Sequence, residues 1–190
     1  MSSLPLVGDD TSDPDLGRIY HRVREANGSI GNLYRLLAHA PKLLGAWIDF
    51  AWTLRFDVES DRQLRELMIV RVAHLTQAEY EWNAHWKVAL AVGVPEAKLR
   101  ALEHWRDSEE FSPEERLALE MTEELTMTTD LAGETLGRVR SAFGDTQAVE
   151  LVLTAAFYSC VSRVTKGLSV PLEPADPAVP ALVPPSGAGG

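Results

Sequence analysis

Glu81 and His85 stand four residues apart in Tyr80-Glu81-Trp82-Asn83-Ala84-His85. On an α-helix that spacing makes their side chains neighbours. On a helical wheel for residues 77–92, Ala78, Trp82, Val88, Ala89 and Val92 gather on one side, and Glu79, Asn83 and Lys87 on the other. Glu81 and His85 fall near the middle of the apolar side, where an ionisable group is costly unless it pairs or bonds. The preceding segment adds Glu66, which shares a helix side with Ile69, Val70 and Ala73. If the two segments pack as a hairpin across the short turn at Thr76, Glu66 approaches Glu81 and His85. Two carboxylates and an imidazole in apolar surroundings suit proton transfer. Burial raises a carboxylate's pKa, and a nearby carboxylate raises that of an imidazole. General acid–base catalysis works best with values near the operating pH. A structural hydrogen-bond network inside a bundle is the competing reading, and the residues alone leave both open. Metal ligation is weaker still: Glu81, His85 and either Glu66 or His74 offer ligands, but the Glu-x-x-His spacing of di-iron bundles is absent.

The elements that must position these groups read as helices. Pro41 opens a run through Trp47, Phe50, Ala51 and Leu54. Ser60 or Asp61 can cap a helix reaching Leu75, and that helix is apolar almost all round, as a buried helix is. Thr76 and Glu79 have capping-box spacing, which predicts a helix from about Gln77 that stops at Gly93. Pro95 suits the first residue of a helix running toward Trp105. Ser112-Pro113-Glu114-Glu115 is a second capping box, opening a helix over about 113–127. Two more follow, about 133–143 and 146–168, separated by Gly144-Asp145. The fold class is all-α, with about seven or eight helices and short connections.

Residues 1–15 read as a flexible arm, 16–170 as one helical domain, and 171–190 as an extended or disordered tail holding six of the 11 prolines. The 190 residues carry 18 Lys+Arg and 28 Asp+Glu, a net charge of −10 that argues against nucleic acid or an anionic membrane as partner. No basic n-region or long apolar run suggests a signal peptide or a spanning helix, so the cytoplasm is the expected location. Cys160 is the only cysteine, which excludes an intrachain disulfide and a two-thiol redox centre. Its apolar neighbours predict a buried structural residue.

Residues 64–94, with Glu66 placed 19 residues before His85, resemble the signature of the carboxymuconolactone decarboxylase family, which includes the alkylhydroperoxidase D-like proteins. Tyr-Glu-Trp-x-x-His, here residues 80–85, resembles one subgroup. Residues 149–163 resemble the family's last core helix, and Val170-Pro-Leu-Glu-Pro its exit. The resemblance implies an alkylhydroperoxidase D-like helical bundle in a homo-oligomer, with a trimer favoured and a dimer or hexamer as alternatives. It also implies a small-molecule pocket at or near a subunit interface.

Two chemistries divide the family. The peroxidase branch places Cys-x-x-Cys before the histidine. Ala78 and Glu81 occupy those positions here and supply no thiolate. The decarboxylase branch has a carboxylate four residues before the histidine, as Glu81 is, and is cofactor-free. The expected enzyme is therefore a cofactor-independent lyase, isomerase or cyclase acting on a small carboxylated or lactone substrate. His85 is expected to transfer the proton, with Glu66 or Glu81 orienting it. Tyr80 would donate to a substrate oxygen, and Arg71 would anchor a carboxylate or serve a structural ion pair. Trp82, with the other tryptophans, would line an aromatic pocket or the core. Tyr158 and Arg163 are secondary candidates for the same cavity. A thiol peroxidase and a non-catalytic binding protein are the alternatives.

Overall fold

The computed structural model describes residues 4–185. The readings for residues 1–3 and 186–190 lie outside the described residues. All regular structure among the described residues is helical. It comprises α1 (Pro14–Asn27), α2 (Asn32–Leu37), α3 (Pro41–Phe56), α4 (Arg62–Thr76), α5 (Glu79–Ala91), α6 (Glu96–Ala101) with a 3-10 turn at Leu102–His104, α7 (Pro113–Thr128) and α8 (Gly133–Gly167). The all-α expectation and its number of helices hold.

Helix α4 is the centre. Every residue from Leu64 to His74 is buried, and α5, α7 and α8 pack around it. The cause lies in its sequence: with no polar stripe to leave in water, each apolar side chain gains about 1.5–3 kcal/mol by being covered. Asp61 caps its start by accepting the Leu64 amide at 2.8 Å. Gln77 ends it in the left-handed region, at φ 52°. The capping box expected at Thr76 does not form. The Thr76 hydroxyl instead donates back to the Val72 carbonyl at 2.7 Å, and α5 begins at Glu79 behind Ala78, without a side-chain cap. The left-handed Gln77 sets the start of α5 later, so the N-cap position falls on Ala78 rather than on Thr76. The Ser112 box does form, with both reciprocal hydrogen bonds present.

Helix α8 bends at Gly144, whose φ of 81° and ψ of 171° a side chain would strain. Its second half presses Leu151 and Ala155 against Met68, and Tyr158 and Val161 against Ile69 and Val72. Contrary to the reading that no stretch is long enough, α8 has the length and composition of a membrane-crossing helix. Half of its most apolar window is buried against the bundle, as befits a core helix.

The N-terminal helices add their own cluster of Tyr20, Val23, Leu44 and Ile48. Helix α3 leans on α8 through Trp47 and Phe157, ring centroids 5.0 Å apart. The arm expected to be loose is extended and held down. The Val7 carbonyl accepts from Tyr20 and Arg35, the Pro5 carbonyl contacts His39 Nε2 at 2.8 Å, and Asp9 pairs with Arg24 and Arg35. The tail through residue 185 is extended and returns across α2 and α5. Asn32 binds the Pro171 and Leu172 carbonyls, and Trp82 Nε1 donates to the Pro180 carbonyl at 2.8 Å.

Candidate active site

The α4–α5 hairpin brings Glu66 and His85 together. The His85 ring donates through Nδ1 to Glu66 Oε2 at 2.7 Å, while Arg62, one turn before Glu66 on α4, pairs with Oε1. Glu66 is fully buried and His85 is 8% exposed. Burial pushes the Glu66 pKa up, but the charge and hydrogen bond of His85, with Arg62 and Arg55, outweigh it and hold the carboxyl below its usual range. An ionised Glu66 fixes the proton of a neutral imidazole on Nδ1, so Nε2 carries the basic lone pair.

His85 lines a cavity of about 150 Å³, small beside the roughly 300–1,000 Å³ of drug-sized pockets. Helix α5 presents Glu81, Ala84, His85 and Val88 to it, and α8 presents Phe157, Tyr158 and Val161. Helix α3 closes a third side with Trp47, Ala51 and Arg55, one residue per turn. The Tyr158 ring meets His85 edge to face at 4.8 Å. Its phenol pKa is raised, chiefly by burial, so the hydroxyl stays a donor at neutral pH.

Glu81 is 3% exposed, and its Oε1 is shielded from solvent with no hydrogen-bond partner. Burial raises its pKa to about 7, against the opposing effects of His85 and the Thr165 hydroxyl. Two carboxyls on one imidazole thus diverge, one held as the anion and the other able to carry a proton near neutrality. Among the described residues, no three His, Cys, Asp or Glu side chains form a group that could hold a metal ion.

Tyr80 stands at the rim, where this cavity meets an outer chamber of about 480 Å³. Its hydroxyl is already engaged: it donates to Glu173 Oε1 at 3.1 Å and accepts from the Leu33 amide at 3.2 Å. A Cβ on Gly31 would come within 3.3 Å of that hydroxyl, so a glycine there leaves room for the pair.

The structure does not bring Arg71 or Trp82 to the cavity. Arg71 points to the opposite side of α4. It pairs there with Glu123 of α7, and its Nη1 donates to His74 Nδ1 at 2.8 Å and to the Leu102 carbonyl at 2.9 Å. Trp82 packs with Trp86 and His74 under the C-terminal tail. Arg163 is exposed and donates to the Ser159 carbonyl of its own helix. Cys160 is exposed rather than buried, because it shares the outer side of α8 with Val149, Leu153 and Ala156. Arg55 is the residue the sequence reading missed. Its signal was one turn of continuity, since Trp47, Ala51 and Arg55 are spaced by four.

Comparisons with known proteins agree with this architecture. Residues 41–124 match the model of the carboxymuconolactone decarboxylase family. The chain is 31% identical over 124 residues to the uncharacterized protein YnjA of Escherichia coli (strain K12), covering 64% of this chain and 68% of that one. It is 32% identical over 95 residues to the uncharacterized protein YdfG of Bacillus subtilis (strain 168), covering 49% of this chain and 65%, just under two thirds, of that one. Among solved structures, an uncharacterized peroxidase-related protein from Ralstonia eutropha JMP134, described as an alkylhydroperoxidase AhpD core, superposes with a TM-score of 0.80 at 16% identity, covering 90% of this chain and 92% of that one. The debrominase Bmp8 in complex with 2,3,4-tribromopyrrole gives 0.78, also at 16% identity, covering 92% and 94%. At that identity the likeness speaks for the fold. With the Glu66–His85 pair, the helical hairpin and the matched segment in agreement, the chain belongs to the carboxymuconolactone decarboxylase family.

Proposed function

We propose that this protein is a cofactor-independent proton-transfer enzyme acting on a small carbon acid, either a carboxylated or a lactone substrate. Lyase, isomerase and cyclase outcomes share the same step. The observation that carries the reading is the buried Glu66–His85 hydrogen bond, beside a small cavity that also holds Glu81, one of whose carboxyl oxygens has no partner. Glu66 fixes the tautomer and stabilises the imidazolium once formed. His85 Nε2 then takes a proton from, or returns one to, a substrate carbon in the cavity. In a decarboxylation, the electrons of the breaking carbon–carboxylate bond enter the substrate's conjugated system as CO2 leaves. His85, which has first taken a proton from solvent on Nε2, delivers that proton to carbon and returns to the neutral imidazole. Tyr158 donates a hydrogen bond to the oxygen on which charge develops. Glu81 can exchange the proton with its surroundings.

Thiol peroxidase chemistry is disfavoured. Ala78 and Glu81 stand at the paired-cysteine positions, and Cys160 is not among the cavity-lining residues. Peroxide consumption that a thiol-blocking reagent abolishes would reverse this judgement. The proposal includes a cytoplasmic setting and a homo-oligomer, a trimer first, with exposed Leu43 and Phe50 of α3 and Val149 and Leu153 of α8 as the side chains available for self-association. Light scattering tests the oligomer.

The direct assay is loss of γ-carboxymuconolactone and appearance of the enol-lactone. Turnover by wild type, with a loss of about 10²-fold or more in a folded His85→Ala, is the expected outcome. Equal turnover by the two removes His85 from the mechanism.

A further inference from the structure

Arg55 is the one cationic side chain that lines both the inner cavity and the outer chamber. It follows Trp47 and Ala51 down the cavity-facing stripe of α3, across from Ala84 and Val88 of α5. Its position is held by the backbone: the Arg55 carbonyl accepts from Arg62 Nη1 and Arg65 Nη2, both at 3.2 Å. Its guanidinium lies 5.3 Å from the Phe56 ring centroid. Among the described residues it makes no ion pair, and its Nε is shielded from solvent without a hydrogen-bond partner. The nearby Glu66 is already matched by Arg62 and His85. The two buried arginines differ: Arg71 is paired with Glu123, and Arg65, whose Nε is also without a partner, spends its other nitrogens on Ser60 and the Arg55 carbonyl and lines neither chamber. Arg55 is the one left with bonding capacity toward a cavity.

We propose that Arg55 is the anion anchor of this site and that the substrate is a small carboxylate, its charged end on Arg55 and its reacting carbon at His85. This rests on the proton-transfer reading and adds the substrate's charge and orientation. A guanidinium fork suits a planar carboxylate, and the apolar walls exclude the water that would compete for it. The outer chamber fits an entry route of mixed charge. Lys87 and Asn83 lie on one side, and Glu173 and Asp176 of the tail on the other. A negative ligand therefore gains its favourable field only on reaching Arg55. The inner volume of about 150 Å³ limits the part beyond Arg55 to a few carbons.

The test uses glutaconate, a five-carbon unsaturated dicarboxylate, and its neutral dimethyl ester as probes, followed by ligand-observed NMR titration of the full chain. Wild type is expected to bind the diacid and to bind the ester at least 10-fold more weakly. Arg55→Gln should lose at least 10-fold in affinity for the diacid, Arg55→Lys should retain part of it, and both should keep the wild-type circular dichroism spectrum. His85→Ala should bind the diacid within about threefold of wild type. Undiminished binding by folded Arg55→Gln, equal binding of acid and ester, or no binding of the diacid to wild type would each overturn the anchor. Proton-transfer activity that survives His85→Ala, alongside a loss of binding in Arg55→Gln, would overturn the chemistry and leave the anchor standing.

Discussion

Helix α4 carries two clusters of glutamate, histidine and arginine partners on opposite sides, and they end differently. On the α7 side, Glu123 receives Arg71, Arg106 and the Trp105 indole, and Arg71 also bonds His74 Nδ1. The carboxylate is saturated with donors, and no cavity opens onto it. On the α5 side, Glu66 is held by the Arg62 ion pair and the His85 hydrogen bond. Both histidines line a cavity, His74 one of about 240 Å³ under the tail and His85 the one of about 150 Å³, but the second also holds a buried carboxyl, Glu81, that lacks a partner for one oxygen. Residue types barely distinguish the two clusters. The difference is the company each histidine keeps: His85 shares its cavity with the buried, under-bonded Glu81, whereas His74 shares its own mainly with tryptophans, leucines and the tail. Buried polar groups without partners are costly, so their retention points to a ligand or a reaction.

The comparison can be broken by exchanging the consequences of mutation. His85→Ala should lower activity by about 10²–10⁴-fold, the scale of a lost general acid–base group, while leaving the fold in place. Glu123→Ala should do the reverse. It strands the buried Arg71 and should cost about 3–5 kcal/mol, or on the order of 10 °C in melting temperature for a chain of this size, with activity per folded molecule retained. Urea denaturation and steady-state rates, measured on both variants, check the pair.

A smaller effect sharpens the contrast through pH. The Glu81 pKa is raised to about 7 in the folded chain from an ordinary value near 4.5. The folded state therefore holds this proton over a range where the unfolded chain has released it. The stabilisation is fully present below about pH 4.5 and is lost as pH rises toward 7. It amounts to roughly 3 kcal/mol if the whole shift is realised. Glu66 and Glu123, both held below the usual carboxylate range, act in the opposite sense and lose their contribution as pH falls. Glu81→Gln should flatten the alkaline part of the trend, which urea midpoints at pH 5 and pH 8 will show. Smallest is Thr165→Val, which removes the hydroxyl beside Glu81. It should raise the Glu81 pKa further and cost about 1 kcal/mol.

Much of this was legible in the sequence because it is local. The Ser112 box, the break at Gly144 and the all-round apolarity of residues 64–75 follow from spacing alone, and the α4–α5 hairpin with its Glu66–His85 approach follows from two wheels and a short turn. What was not legible depends on which neighbour covers which face. A helix buried on every side gives no cue that Glu66 meets α5 while Arg71 meets α7, so Arg71 read equally well as an anchor or as a structural pair. Trp82 was visible as an aromatic on the apolar side of α5, but its tail contact at Pro180 involves a residue 98 positions away. Cys160 shows the same limit: an apolar helix can bury one side and leave apolar residues on the other. Arg55 lies just beyond an apolar stripe, where periodicity reads it as the helix's polar end.

The most direct test is a single comparison at one temperature where all proteins are folded: turnover of γ-carboxymuconolactone by wild type, His85→Ala and Glu123→Ala. The expected result is activity in wild type and Glu123→Ala, with a loss of about 10²-fold or more in His85→Ala. Equal activity in all three, or a loss confined to Glu123→Ala, would contradict the assignment of the Glu66–His85 cluster as the reactive one.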